Sequence, residues 1–231
     1  MARSAGLALL VVALVLPISG SGSGSAFGAT RAQTRCAGAG STLAANSQFR
    51  VYAIRVKTGN RREPRTFGCV RSSGRRTRLD LRCHPAQHDP VSNDECTDKP
   101  ARVLLRGRWC ALEFRDFGDS GGSYTTIVRA DLRGSVGKFT IVLDDQLDSK
   151  SPIVDRLFVS PRGGLAYAAD DLNEGEGRTG VVGYLPPPKG GKNERDSYLD
   201  FDPGVEGASL RVSGGLIRWR NRGTEQTAPW R

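Results

Sequence analysis

Histidine is nearly absent, with only His84 and His88 in 231 residues. No Cys-x-x-Cys pair occurs, and Cys36, Cys69, Cys83, Cys96 and Cys110 are spaced unlike the ligands of a zinc site. His84 and His88 stand four apart, a spacing that serves a metal only on a helix; Pro85 and Pro90 exclude a regular helix there. They read as surface-loop residues, and the chain is assigned no metal and no cofactor. Lysine is scarce too: six of the 34 Lys and Arg residues. No segment of ten or more residues after the N-terminal region reads as a helix. No apolar run is long enough to span a bilayer, which takes ~20 residues.

The N-terminus supplies what the rest lacks. Arg3 is followed by an apolar run, Ala5 to Leu16, then Pro17 and a Gly/Ser-rich stretch ending at Ala26. That is the charged region, apolar core and small-residue cleavage zone of a secretory signal. Residues 1–26 are read as a signal peptide, with cleavage after Ala26 and Ala32 as the second choice. Cys36 follows Gln33-Thr34-Arg35, so it is not a lipoprotein cysteine. The expected location is the secreted or cell-envelope space. Residues 27–45, rich in Gly, Ala and Thr, read as a flexible linker, and residues 46–231 as one domain able to bury a core.

Export to an oxidising space predicts disulfides. Cys83 and Cys96 bracket a polar loop and form one expected pair. Cys69 and Cys110 sit in strand-like apolar runs and form the other, which leaves Cys36 unpaired. Spacing alone does not fix this connectivity.

The 29 glycines and 12 prolines break the chain into short pieces. From Phe49 onward, apolar and polar residues alternate in short runs. Strands are expected at 49–56, 65–71, 77–81, 102–105, 109–114, 124–132 and 138–143, then at 155–159, 165–169, 180–185, 198–201, 209–212 and 216–220. Ser73-Gly74, Arg133-Gly134, Gly163-Gly164, Gly190-Gly191 and Gly214-Gly215 mark turns between them. A weak repeat of strand, glycine turn and strand recurs at 103–112, 157–167 and 210–219, and 47–56 holds the second strand of an eroded copy. The fold class is therefore all-β, with antiparallel four-stranded, propeller-like units, three to four in number. A closed ring and an irregular stack both fit.

Ser160-Pro161-Arg162-Gly163-Gly164-Leu165-Ala166-Tyr167 resembles the SPDG-x-x-(I/L)-A-(F/Y) signature of TolB-like, WD40-like β-propeller repeats. Trp109–Phe114, the turn at 121–122 and Tyr124–Leu132 resemble the hairpin that follows in such a blade. The resemblance covers about two repeats, and Arg162 replaces the usual Asp. It implies a binding or scaffolding role and no catalysis.

Charge is unevenly placed. Residues 50–82 hold eleven Lys and Arg against Glu63 and Asp80, and so carry nearly all of the net +10. Arg61, Arg62, Arg65, Arg71, Arg75, Arg76 and Arg78 flank the strand at 65–71 and its expected turns, a stripe suited to an extended polyanion. An anionic envelope polymer or an envelope protein is the expected partner. Phe67 among these arginines offers base stacking, but export disfavours nucleic acid.

One motif suggests an enzyme. Gly118-Asp119-Ser120-Gly121-Gly122 matches the residues around a chymotrypsin-like nucleophile, and His84, His88, Asp89, Asp94 and Asp98 precede Ser120 in the order such a triad needs. The context argues otherwise. Ser120 lies 32 residues after His88 with over 100 residues still to come, and Asp, Ser and Gly are what a turn between two strands requires. The chain is read as a non-enzyme, with a serine hydrolase using Ser120 as the alternative. Residues 171–177 begin like a calcium loop, but the twelfth position is Val182 where an EF-hand has glutamate. Those residues, like Asp144, Asp145 and Asp148, read first as solvated turns, with calcium left open.

Overall fold

The computed structural model describes Cys36 and residues 40–59, 61–79, 99–117, 123–134, 138–145, 153–173 and 177–230. Among the described residues, fifteen strands form four antiparallel sheets, each a simple meander in chain order. The first sheet holds β1 (Ser41–Ala45), β2 (Phe49–Thr58), β3 (Arg61–Val70) and β4 (Arg76–Arg78). The second holds β5 (Arg102–Arg106), β6 (Trp109–Phe117), β7 (Ser123–Asp131) and β8 (Phe139–Asp145). The third holds β9 (Val154–Val159), β10 (Leu165–Asn173), β11 (Gly177–Leu185) and β12 (Ser197–Asp202). The fourth holds β13 (Val205–Ser213), β14 (Leu216–Asn221) and β15 (Thr224–Pro229).

The repeated segments of the sequence are in phase with this architecture. Each of 103–112, 157–167 and 210–219 supplies the first hairpin of its sheet, and 47–56 supplies the second strand of the first sheet. The first strands touch in succession, β1 to β5, β5 to β9 and β9 to β13. Two strands were absent from the sequence reading. Ser41–Ala45, inside the expected linker, pairs with β2, and the polar Thr224–Pro229 pairs with β14.

Three layers of apolar side chains lie between successive sheets. Phe49, Val51, Leu112 and Phe114 fill the first gap. Trp109, Ile127, Leu157 and Tyr167 fill the second, and Val182, Leu210, Ile217 and Trp219 the third. Central strands are therefore covered on both faces, and 109–114 and 165–169 are buried at every residue. Two-sided burial favours a continuous apolar run over strict alternation. Among the described residues no buried cluster joins the fourth sheet to the first.

Arg129 locks the middle gap. It is 1% exposed, in β7, and its Nη1 donates to the carbonyls of Gly163 (2.8 Å) and Pro186 (2.7 Å). Its Nη2 donates to Asn193 Oδ1 at 2.7 Å. All three acceptors belong to loops of the third sheet. The guanidinium lies 5.7 Å from the ring centres of both Trp109 and Phe139. Gly163 completes the contact: its φ is +93°, and a Cβ there would stand 2.5 Å from Cε2 of Trp109. Only glycine satisfies both the backbone and the close approach. Burial pulls the Arg129 guanidinium down to about 10, which still leaves it charged at neutral pH.

Replacing Arg129 with Met should cost about 3 kcal/mol, because one buried and two part-buried oxygens lose their donor. Arg129→Lys keeps the charge but lacks the planar fork that serves separate acceptors, so it should recover only part of the loss. Urea denaturation of the three proteins measures this; a Met variant as stable as wild type would contradict the clamp.

Candidate anion-binding face

The outer face of the first sheet, turned away from the second, carries the charge that the sequence concentrates in 50–82. Register sets its membership. Tyr52 pairs with Phe67, Ile54 with Arg65 and Arg50 with Cys69, while Arg78 and Arg76 pair with Phe67 and Cys69 from the other side. Directly opposed residues share a face, so Arg50, Tyr52, Arg65, Phe67, Arg76 and Arg78 stand together. Arg76 and Arg78 are exposed on the edge strand β4, and Arg65 and Phe67 are half-buried. Tyr52 stacks on Phe67 with ring centres 5.8 Å apart and planes 24° apart.

Cys36 closes one side of this face. It is bonded to Cys69, with Cα atoms 6.1 Å apart. Its carbonyl accepts from Arg50 Nη1, while Arg50 Nη2 donates to Gly40 O at 3.0 Å and Nε to Thr42 Oγ1 at 2.8 Å. Arg50 also lies 5.0 Å from the centre of the Tyr52 ring. Arg50 thus holds the N-terminal segment against the sheet, and Arg65, Arg76 and Arg78 share the same outer face. The bridge closes 33 residues of chain, worth roughly 4 kcal/mol in the chain-entropy treatment.

This corrects the expected pairing of Cys69 with Cys110. Cys69 lies on the outer face among Cys36, Tyr52 and Phe67, whereas Cys110 lies in the layer between the first two sheets. Facing opposite sides of β3, they cannot meet. Cys36, expected to be unpaired, is the partner, and Cys110 is a buried thiol. Cys83 and Cys96 lie outside the described residues.

The seven stripe arginines divide into three groups. Arg65, Arg76 and Arg78 share the outer face. Arg71 and Arg75 belong to the turn between β3 and β4. Arg61 and Arg62 start β3 at its opposite end, paired with Thr58 and Lys57, and Arg62 falls on the other face by alternation. Arg61, Arg62 and Arg76, expected in turns, are strand residues. The stripe along one strand is thereby replaced by an outer face plus a turn.

Ser120, His84 and His88 lie outside the described residues, as do Asp148, Glu174 and Glu176. Asp171 and Asn173 are in β10, paired with Thr179 and Gly177. Pro186 is half-buried and gives its carbonyl to Arg129. Tyr52, Trp109, Tyr167 and Trp219 are core residues, as their place within strands predicts. Cations that the sequence reading did not assemble lie in other turns: Arg108, Arg133, Arg162, Lys189 and Lys192. They are scattered along the chain, and only the sheet topology brings them to one end.

No family model matches the chain, and neither the curated proteins nor the solved structures contain a match to it.

Two chemical outcomes follow for the cysteines. Non-reducing peptide mapping of the protein should link Cys36 to Cys69, and Cys110 should resist alkylation until the protein unfolds. Burial, aided by the nearby charge of Asp131, raises the Cys110 thiol from 9.0 to about 12. The unfolded chain therefore gives up this proton first, so the contribution to stability is constant below pH 9.0 and declines towards pH 12. A peptide linking Cys69 to Cys110, or alkylation of Cys110 in the folded state, would contradict the assignment.

Proposed function

We propose that this chain is a secreted, non-enzymatic binding or scaffold module of the cell envelope that contacts an anionic polymer through the arginines of its first sheet. The observation that carries the reading is the common placement of Arg65, Arg76 and Arg78 on one face, beside half-buried Phe67 and next to the turn holding Arg71 and Arg75. Guanidinium groups bind carboxylate and phosphate with two parallel hydrogen bonds, so arginine suits this role better than lysine. The signal-like N-terminus supports export, and the Cys36–Cys69 bridge is compatible with an oxidising compartment. The resemblance of 160–167 to TolB-like repeats supports binding over catalysis.

Attraction of this kind weakens with salt, since the screening length falls from ~10 Å at 0.1 M to ~3 Å at 1 M. The purified protein should be retained on an anionic matrix at low ionic strength and elute with moderate salt. A variant with serine at positions 65, 75, 76 and 78 should elute clearly earlier with an unchanged circular dichroism spectrum. Elution identical to wild type would mean that these charges only solvate the surface. A serine-directed covalent probe should leave the protein unlabelled, and labelling lost in Ser120→Ala would instead establish the hydrolase.

A further inference from the structure

Each four-stranded meander places its first and third turns at the same end of the sheet. Specific contacts join these turns across sheet boundaries. Asn46 Nδ2, in the β1–β2 turn, donates to Gly107 O in the β5–β6 turn at 2.9 Å. Arg75, after β3, lies over Gly134, after β7, with its Nη2 2.8 Å from the position of a Cβ there. Gly163, in the β9–β10 turn, lies against Trp109 at the start of β6. The turns of the first three sheets thus form one continuous surface.

That surface is basic. Arg75, Arg133, Arg162, Lys189 and Lys192 are exposed on it, and Arg108 is half-exposed. Two of the guanidiniums are held from below: Arg108 lies 5.3 Å from the ring centre of Trp109, and Arg133 lies 5.9 Å from that of Phe49. The carboxylates at this end are few. Asp131 is buried, 3.5 Å from Arg108 Nε, and Glu194 and Asp196 stand in the β11–β12 loop. The opposite strand ends carry both signs, Lys57, Arg61, Arg62 and Arg115 as well as Asp116, Asp144, Asp145, Asp170 and Asp171. Cations therefore outnumber carboxylates at this turn end.

We propose that the turn end is a binding surface for a linear acidic polysaccharide, which crosses the first three sheets from Arg75 to the β11–β12 loop. The inference rests on the anionic-polymer reading and extends it beyond the first sheet. Packed sheets lie ~10 Å apart, so their turn cations repeat on that scale or wider. A polysaccharide with one carboxylate per disaccharide spaces its charges comparably. Phosphates on one strand of a nucleic-acid duplex recur every ~3.4 Å and would leave most of theirs unmatched.

The test titrates a fluorescent hyaluronan decasaccharide with the full protein and a variant carrying R133S, R162S, K189S and K192S, none of which belongs to the Arg129 clamp. This variant leaves the first sheet intact. It should bind at least about tenfold more weakly, four exposed charges each contributing modestly, with an unchanged circular dichroism spectrum. Wild-type affinity in this variant, with weakened binding when 65, 75, 76 and 78 are serine, would overturn the inference and leave the first-sheet reading standing. Binding of polyphosphate but not hyaluronan by the wild-type protein would also overturn the inference alone. Failure of the wild-type protein to bind any anionic polymer would remove the reading on which the inference rests.

Discussion

A guanidinium buried among neutral oxygens fixes how the second and third sheets meet. The three hydrogen bonds of Arg129 all end on atoms outside its own sheet, so they are satisfied in one alignment only. An apolar layer alone tolerates small slides, since hydrophobic attraction has no direction. Arg129 removes that freedom, because any slide would leave a charged group without acceptors in a poorly hydrated gap. The Trp109–Gly163 contact works with it: the indole lies against the backbone of the same turn whose carbonyl Arg129 holds. The position of the β9–β10 turn, and with it Arg162, follows from this joint.

A stack of sheets also needs two finished ends. At the first sheet, the Cys36 segment covers Tyr52 and Cys69, and Arg50 secures it through carbonyl and hydroxyl oxygens. At the fourth sheet, the outer face carries Arg211 and Arg218, both bonded to Glu225. The hydrogen bond from Arg218 holds the Glu225 carboxyl below its ordinary range. Polar terminal faces of this kind keep a stacked fold soluble, as capping units do in repeat proteins.

Much of the fold was legible in the sequence because glycine turns and short β-rich runs recur with a common phase. The strands of the second and third sheets appeared with approximate bounds, even where burial on both faces replaced alternation with apolar runs such as 165–169. What escaped notice had no local signal. Ser41–Ala45 is half-exposed and Thr224–Pro229 polar, since each is an edge strand with little to bury. The cysteine pairing turned on parity: Cys69 lies on the odd-numbered face of β3, away from Cys110, and nothing in 65–71 declares which face looks inward. The candidate site was legible in part. Arg65, Arg76 and Arg78 belong together as expected, but Arg62 alternates to the other face. The basic turn end is assembled from loops more than a hundred residues apart, which no run of charge in the sequence could reveal.

The charge layout and the fold thus share one cause, the repeated meander that sends alternate turns to the same end. Arginine side-chain NMR tests this most directly, because each Nε–Hε group reports its own surroundings. With hyaluronan added, resonances of Arg75, Arg133 and Arg162 should shift together and saturate together, while Arg211 and Arg218 on the fourth sheet stay in place. Shifts centred on Arg211 and Arg218, with the turn-end arginines unmoved, would contradict the account.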